Sequence, residues 1–399
     1  MSGSPVPGPP SVVADPGQLA SLCDEIAGEE YYAFDTEFHT ERTYYPQLGL
    51  IQLGWAGGRV ALVDPLAVDP GLLAPLFSGP GIAVAHAADQ DLDIIQTACG
   101  AVPAQVFDTQ IVAGFLGMSS PSLSRLVDQV LGVSLQKGDQ LSDWLARPIS
   151  DRQMAYAAGD VAHLLELRTV MAARLSALGR LDWAIEECGD VLSTRRRSVV
   201  AEEAWWKMGD IRRLSTRSRG VAQEVAAWRE RKAAALDRPR RSVLSDLALL
   251  VIAQRPPKNR GELQAMRGVD GRHLANGGAA EILGAVKRGL DLAGGELRLP
   301  PEGTDAQAPP AAVAVCTGLV RQIADNLSFD QTMLATRADI ASLLAGEPSR
   351  LDVGWRRAIA GDAIHRLMAG DVAAVFDPAG RLLLEERSFR PSPLPGDGS

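Results

Sequence analysis

Asp35 and Glu37 sit two residues apart within YYAFDTEF, a run that otherwise reads as a buried strand. Side chains two apart on a strand point to the same face, so both carboxylates converge there. Burying a carboxylate is costly unless it is paired or binds a metal. The pair therefore marks either an exposed edge with ordinary surface charge or a pocket for a cation. Oxygen donors of this kind suit a hard ion such as Mg²⁺ or Mn²⁺. A second set lies in AVAHAADQDLDII, where a strand-like run gives way to Asp89, Asp91 and Asp93 at the mouth of a helix. Acids in a first helical turn also answer the helix macrodipole. In YAAGDVAHLL, Tyr156 and Asp160 are four apart and share a helical face, which packing or a hydrogen bond explains equally well. Each set alone is ambiguous. Their succession, strand acids, then acids after a later strand, then Tyr and Asp on a helix, is distinctive.

The elements that must position these groups are legible. YYAFDTEF, LGLIQLGW and RVALVD are three successive strand-like runs, and Gly57-Gly58 between two apolar runs predicts a hairpin. GIAVAHA reads as a short buried strand, followed by a helix through DLDIIQTACG. FDTQIVAGFLG and SLSRLVDQVLG read as helices or strand-to-helix passages, and residues 151–178 keep helical periodicity throughout. A meander followed by alternating strands and helices predicts a mixed sheet flanked by helices, an α/β fold. From about residue 195 strand signals nearly vanish. VAAWRERKAAAL predicts a basic helix, SVLSDLALLVIAQ an apolar one stopped by Pro256-Pro257, NRGELQAM a helix capped by Asn259 with Glu262 three residues on, and AAEILGAVKRGLDLA another. A Pro-rich linker over residues 299–312 separates this all-helical domain from residues 313–370, again helical, and from VAAVFDPAGRLLLEE, read as a strand pair.

The net charge of −9 hides an asymmetry. Residues 1–190 carry 9 Lys/Arg against 24 Asp/Glu, residues 191–299 carry 22 against 12, and residues 300–399 carry 9 against 13. Solvated faces account for many charge runs, but a segment at +10 beside one at −15 predicts polyanion binding by the middle of the chain.

The order of the acids resembles the DEDD family of 3′–5′ exonucleases, in the branch with Tyr in its last motif. DTEFHTERTYYPQLGLIQL, HAADQDL, FDTQI, LQKGDQLSDWLARPIS and DRQMAYAAGDVAHLLEL are similar, in order, to stretches of the bacterial ribonuclease D family, over most of residues 30–190. The resemblance implies a ribonuclease-H-like mixed sheet and four metal ligands, Asp35, Glu37, Asp91 and Asp160. Tyr156 takes the place of the residue that orients the attacking water. The other branch has His where this chain has Ala155, and the Glu often found before the second-motif Asp is Gln90 here. Two divalent cations, roughly 3.5–4 Å apart, would stabilise the attacking and leaving oxygens of a phosphodiester. By resemblance Asp35 bridges both, Glu37 and Asp160 complete one, and Asp91 acts at the second mainly through water. A tyrosine hydroxyl is a poor base near neutral pH, so positioning is its role. Residues about 222–298 resemble an HRDC domain, carried by RRSVLSDLALLVIAQRPPKNRGELQAMRGV, and residues 313–390 resemble a second, more diverged one.

The expected division is a disordered lead at 1–14, an exonuclease domain at 15–195, a basic nucleic-acid-binding HRDC domain at 220–298, the linker at 299–312 and a second HRDC-like domain at 313–392. The expected activity is metal-dependent 3′–5′ trimming of RNA, tRNA precursors by resemblance, with release of 5′-nucleotides. A DNA exonuclease with the same site and a non-catalytic RNA-binding adaptor are the rivals; a helicase accessory lacks its GxxxxGK[ST] phosphate loop, and no nucleotide cofactor is expected. Phe38, Arg42, Gln52, Lys137, Gln140 and Trp144 are candidates for the substrate groove, since aromatics stack on bases and cations meet phosphates; core packing competes as the reading of Phe38 and Trp144. Arg195, Arg196, Arg197, Arg212, Arg213, Arg238, Arg240, Arg241, Lys258 and Arg260 are candidates for phosphate contacts in the basic domain. His39 and His86 lack metal-site spacing, and His86 is expected to hydrogen-bond structurally. Cys23, Cys99, Cys188 and Cys316 form no CxxC pair, as expected of buried thiols in a reducing cytoplasm. No apolar run approaches the roughly 18 residues a membrane span needs, and MSGSPVPGPPSVV has no basic region followed by an apolar core, so neither membrane anchorage nor a signal peptide is expected. A monomer is expected.

Overall fold

The computed structural model describes residues 10–135, 142–194, 200–209, 214–299, 308–328 and 330–387. Six strands form one mixed sheet: β1 Ser11–Val13, β2 Tyr31–His39, β3 Gln47–Trp55, β4 Arg59–Val63, β5 Ile82–Ala85 and β6 Val106–Asp108, in the order β1-β4-β3-β2-β5-β6. The β2–β3–β4 meander is antiparallel and turns through Gly57 and Gly58, both at positive φ; β5 and β6 add in parallel beside β2. The expected disordered lead is corrected at Ser11–Val13, which pairs in parallel with β4 and buries Val13. An apolar side chain and an open sheet edge outweigh the Pro/Ser/Gly composition around them. Residues 1–9 lie outside the described residues.

Alternation along the strands divides the sheet into two covered faces. Tyr32, Phe34, Ile51 and Leu53 pack against α1 (Pro16–Ile26) and α2 (Asp89–Cys99). Ala33, Leu50, Leu62 and Val84 pack on the other face, under α3 (Thr109–Gly114), α4 (Leu123–Leu131), α5 (Asp151–Ala162), α6 (Leu164–Ala177) and α7 (Leu181–Thr194). The helical stretch expected over 151–178 is two helices with a break at His163.

The middle region is all-helical with its own core. Its long helix α8 (Thr216–Leu236) crosses α9 (Asp246–Gln254) and α10 (Gly278–Asp291). At the α8–α10 crossing a Cβ on Gly289 would stand 2.5 Å from Val221 Cα, so glycine sets how close the helices come. Asn259 caps the short helix Arg260–Gln264 by accepting from Glu262 N at 2.9 Å, as the spacing predicts. Two contacts tie this region to the β2–β3 loop: Tyr44 Oη donates to Glu230 Oε1 at 2.6 Å, and Asp237 Oδ1 accepts from Tyr44 N at 3.1 Å and Tyr45 N at 3.0 Å.

The C-terminal region contains α11 (Pro310–Asn326), α12 (Arg337–Leu344), α13 (Asp362–Ala369) and a hairpin of β7 (Val372–Phe376) and β8 (Leu382–Glu386). The helix starts at Pro310, so the last residues of the expected linker are helical; 300–307 lie outside the described residues. Its apolar side chains are continuous with the sheet domain's core. Trp355 stacks on Trp183 at 5.9 Å and meets Phe115 edge-on at 5.1 Å. Arg356 Nη2 donates to Glu187 Oε1 at 2.7 Å and its Nε to Met333 O at 3.0 Å. With Arg356 4 % exposed, Arg356→Ala leaves the Met333 carbonyl without its donor and Glu187 with Arg350, 3.2 Å away, as its remaining guanidinium partner. The expected cost is about 2 kcal/mol, read as a lowered urea midpoint; an unchanged midpoint would show that the seam carries no stability.

Candidate active site

β2 supplies the first two acids. Asp35 lies opposite Gln52 and Glu37 opposite Leu50 in register, and the ladder slips between Glu37 and Phe38, a bulge that re-aims the strand end. α5 lies across the same face, started by a capping box in which Ser150 Oγ accepts from Gln153 N and Gln153 returns its amide oxygen to Ser150 N. Four residues apart on that helix, Tyr156 and Asp160 turn to the sheet, and the Tyr156 hydroxyl hydrogen-bonds the Asp160 carboxyl. Asp35, Glu37 and Asp160 each offer a carboxylate oxygen, all within 4.8 Å of one another.

Asp91 arrives differently. It sits in the first turn of α2 and accepts a hydrogen bond from Thr36 Oγ1. Thr36 lies between Asp35 and Glu37 and points to the opposite sheet face, so the bond holds Asp91 beside the trio while keeping it outside the 4.8 Å group. All four acids line one open cleft with Phe38, Gln90 and Tyr156. Asp89 also lines it, whereas Asp93 is exposed.

The turn before α2 depends on Asp108, a buried residue absent from the sequence-based set. Its Oδ1 accepts from Ala87 N at 3.0 Å and Gln110 N at 2.8 Å, and its Oδ2 from Ala88 N at 2.8 Å. Ala87 is held at φ 57°, a left-handed conformation that costs a non-glycine residue of order 1 kcal/mol. The signal was available in FDTQI, an Asp just before a helix. His86 hydrogen-bonds Thr109 Oγ1 at 2.9 Å and Pro121 O at 3.1 Å, the structural role expected of it. His39 Nε2 accepts from Trp144 N at 3.1 Å.

The cluster raises its own proton affinity. Desolvation, then the charges of Asp91, Asp160 and Glu37, hold the Asp35 carboxyl well above the usual range. Desolvation and the Asp160 and Asp91 charges push Glu37 up to about 8. Desolvation also raises Asp160 to about 7 and Asp91 to about 6, against hydrogen bonds from Tyr156 and Thr36 that pull the other way. Converging carboxylates with no thiol or imidazole among them form a donor set suited to a hard divalent cation, whose charge would relieve this repulsion.

The groove candidates divide. Phe38 is half-buried on the cleft wall, and Arg42 is exposed on the loop beyond β2. Trp144 is corrected: at 1 % exposure it is core, 6.1 Å from the Tyr156 ring, and its backbone comes so close to β3 that a Cβ on Gly49 would meet its carbonyl at 2.7 Å. Gln52 is corrected as well, for it is fully buried beside Asp35 and neither amide atom has a partner. Lys137 and Gln140 lie outside the described residues, as do Arg195, Arg196, Arg197, Arg212 and Arg213. Arg238, Arg240, Arg241, Lys258 and Arg260 are all exposed. Arg240 is already engaged with Glu230, its Nε 2.6 Å from Oε2.

Residues 10–176 match the family model described as 3′–5′ exonuclease, and residues 218–286 the model of the HRDC domain. The chain is 32 % identical over 384 residues to ribonuclease D of Acidiphilium cryptum, covering 94 % of this chain and 96 % of that one. It is 34 % identical over 365 residues to ribonuclease D of Escherichia coli, covering 88 % and 96 %. The crystal structure of Escherichia coli RNase D, described as an exoribonuclease involved in structured RNA processing, superposes with a TM-score of 0.81 at 31 % identity, covering 90 % of this chain and 99 % of that one.

Two measurements bear on this geometry. Carboxyls of an unfolded chain titrate near 4, whereas Asp91, Asp160 and Glu37 hold their protons up to about 6, 7 and 8. Their contribution to stability is full below the unfolded value and is lost as pH rises through the folded ones. The melting temperature of metal-free protein should therefore fall between pH 5 and pH 8, and added Mg²⁺ should raise it most at pH 8; a pH-independent Mg²⁺ effect would contradict the coupling. Asp108→Asn sets an amide donor against backbone N–H donors, and a loss of about 2 kcal/mol in urea unfolding is expected.

Proposed function

From the premise that the chain belongs to the ribonuclease D family, we propose how its own residues carry out the family's reaction. The protein is a 3′–5′ exoribonuclease dependent on divalent metal. The convergence of Asp35, Glu37 and Asp160 within 4.8 Å, next to Tyr156, is the observation that carries the assignment of the site.

On this reading Asp35, Glu37, Asp160 and Asp91 would together hold two divalent cations, and Mg²⁺ or Mn²⁺ suits these oxygen donors. Bound there, such cations would supply stabilisation of charge on the attacking and leaving oxygens of the phosphodiester. Tyr156, held against Asp160, orients the attacking water by its hydroxyl. Phe38, half-buried on the cleft wall, stacks on the terminal base, and Arg42 meets a phosphate. The exposed cations of the 220–298 region hold RNA without regard to sequence. The 313–392 region acts as a second HRDC-like module that buttresses the exonuclease domain through the Trp355 and Arg356 contacts.

The substrates are structured RNAs with 3′ extensions, tRNA precursors among them, trimmed to 5′-nucleotides. Support comes from the Escherichia coli relative's role in structured RNA processing and from the basic helical domain. The four unpaired cysteines fit a reducing cytoplasm, and no helix among the described residues is long and apolar enough to cross a membrane. The chain acts as a monomer.

Trimming of 3′-extended tRNA, single-stranded RNA and single-stranded DNA is compared with Mg²⁺, with Mn²⁺ and with EDTA. RNA trimming is expected with either ion and none with EDTA. Asp35→Asn should lower the rate at least about a thousandfold, the several kcal/mol that metal coordination supplies. A variant as fast as wild type would overturn the site, and faster DNA than RNA cleavage would overturn the substrate class.

A further inference from the structure

A second cavity lies at the seam between the β2–β3 loop and the middle helical region. Thr40, Thr43 and Tyr44 form one wall; across from them Lys207, Arg229, Arg240 and Arg241 are set among Glu230 and Asp246. Part of the charge lining it is matched. Arg240 pairs with Glu230, which also accepts from Tyr44, and Arg229 Nη1 donates to Asp246 Oδ1 at 2.6 Å. Arg229 is 4 % exposed and its Nε has no partner. Two other cations lining it are not matched among the described residues. Lys207 and Arg241 are exposed, and neither pairs with an acid among the described residues. Two such cations therefore line the same cavity as Thr40.

The cavity is joined to the catalytic cleft by one strand. Asp35, Glu37 and Phe38 line the cleft, and Thr40 begins the cavity, a step of about 7 Å at the usual rise of a strand. The spacing is held: Asp237, at φ 45°, accepts from Tyr44 N and Tyr45 N and fixes the loop to α8. We propose that this seam cavity receives a backbone phosphate of the RNA strand on the 5′ side of the bond being cut, held by Lys207 and Arg241. The inference rests on the exoribonuclease activity and adds a subsite to it. Phosphate contacts are indifferent to sequence, so such a grip serves an enzyme that shortens its substrate stepwise, each turnover bringing the next phosphate into the same place.

The test uses the full chain and the double variant Lys207→Gln/Arg241→Gln, both positions being exposed. Binding of fluorescein-labelled RNA is followed by anisotropy, and KM and kcat are measured with Mg²⁺ on a hexanucleotide and a dinucleotide. For the hexanucleotide, the dissociation constant and KM should rise roughly tenfold, within the range for two exposed ion pairs, with kcat unchanged. The dependence of log K on log salt should flatten by about 1.4, the value for two contacts to a single strand. The dinucleotide, too short to reach the seam, should be cut as by wild type. Unchanged hexanucleotide binding, or equal weakening of both lengths, would overturn the subsite. Failure of wild type to cut either RNA would instead overturn the activity, while the anisotropy arm would still decide the subsite.

Discussion

Like charge held at short range is the constraint from which the rest of the structure follows. Asp35, Glu37 and Asp160 present oxygens within 4.8 Å of one another, with Asp91 close enough to raise the proton affinity of Asp35 and Glu37. Such a cluster works against folding until protons or cations enter it. The polypeptide must therefore supply rigidity from elsewhere. It does so with a strand paired on both sides, β2 between β3 and β5, and with a capped helix packed against that strand. The energy stored in the repulsion is what makes the site avid for a divalent ion, and the sheet carries the cost.

The two faces of the sheet contribute unequally. On the α5 face, three acids and Tyr156 are placed by regular periodicities of two and four residues. On the α2 face, Asp91 is placed by hydrogen bonds: Thr36 reaches across from β2, and Asp108 collects the N–H groups of Ala87 and Ala88 and so fixes where α2 begins. The end of β2, where both faces become accessible, is where these two modes of placement meet. This explains why one ligand candidate stands apart from the other three.

The helical regions are attached through different physics. The C-terminal region shares an apolar core with the sheet domain, sealed by tryptophan contacts and by the pairing of buried Arg356 with half-buried Glu187. The middle region keeps its own core and touches the sheet domain through polar contacts at the β2–β3 loop. Much of its apparent positive charge is spent internally, since Arg231, Lys232, Arg240 and Arg288 pair with Glu202, Glu281, Glu230 and Glu224. What remains for a polyanion is the set of cations with no acidic partner among the described residues, including Lys207, Arg238 and Arg241.

The sequence by itself determined the order of elements, the same-face placement of Asp35 with Glu37 and of Tyr156 with Asp160, the cap at Asn259 and the boundary between acidic and basic regions. All of these are local, fixed by backbone periodicity, capping chemistry and composition within a few residues. The succession of the acids also carried the family resemblance from which the four-acid site is proposed. Only the tertiary structure decided that Trp144 and Gln52 are buried, that Asp108 supports the turn before Asp91, that Ser11–Val13 joins the sheet, and that among the described residues Arg240 has an acidic partner while Lys207 and Arg241 have none. Each of these depends on which distant segments come to lie side by side. Burial and charge compensation are properties of that neighbourhood, and no short stretch of chain encodes them.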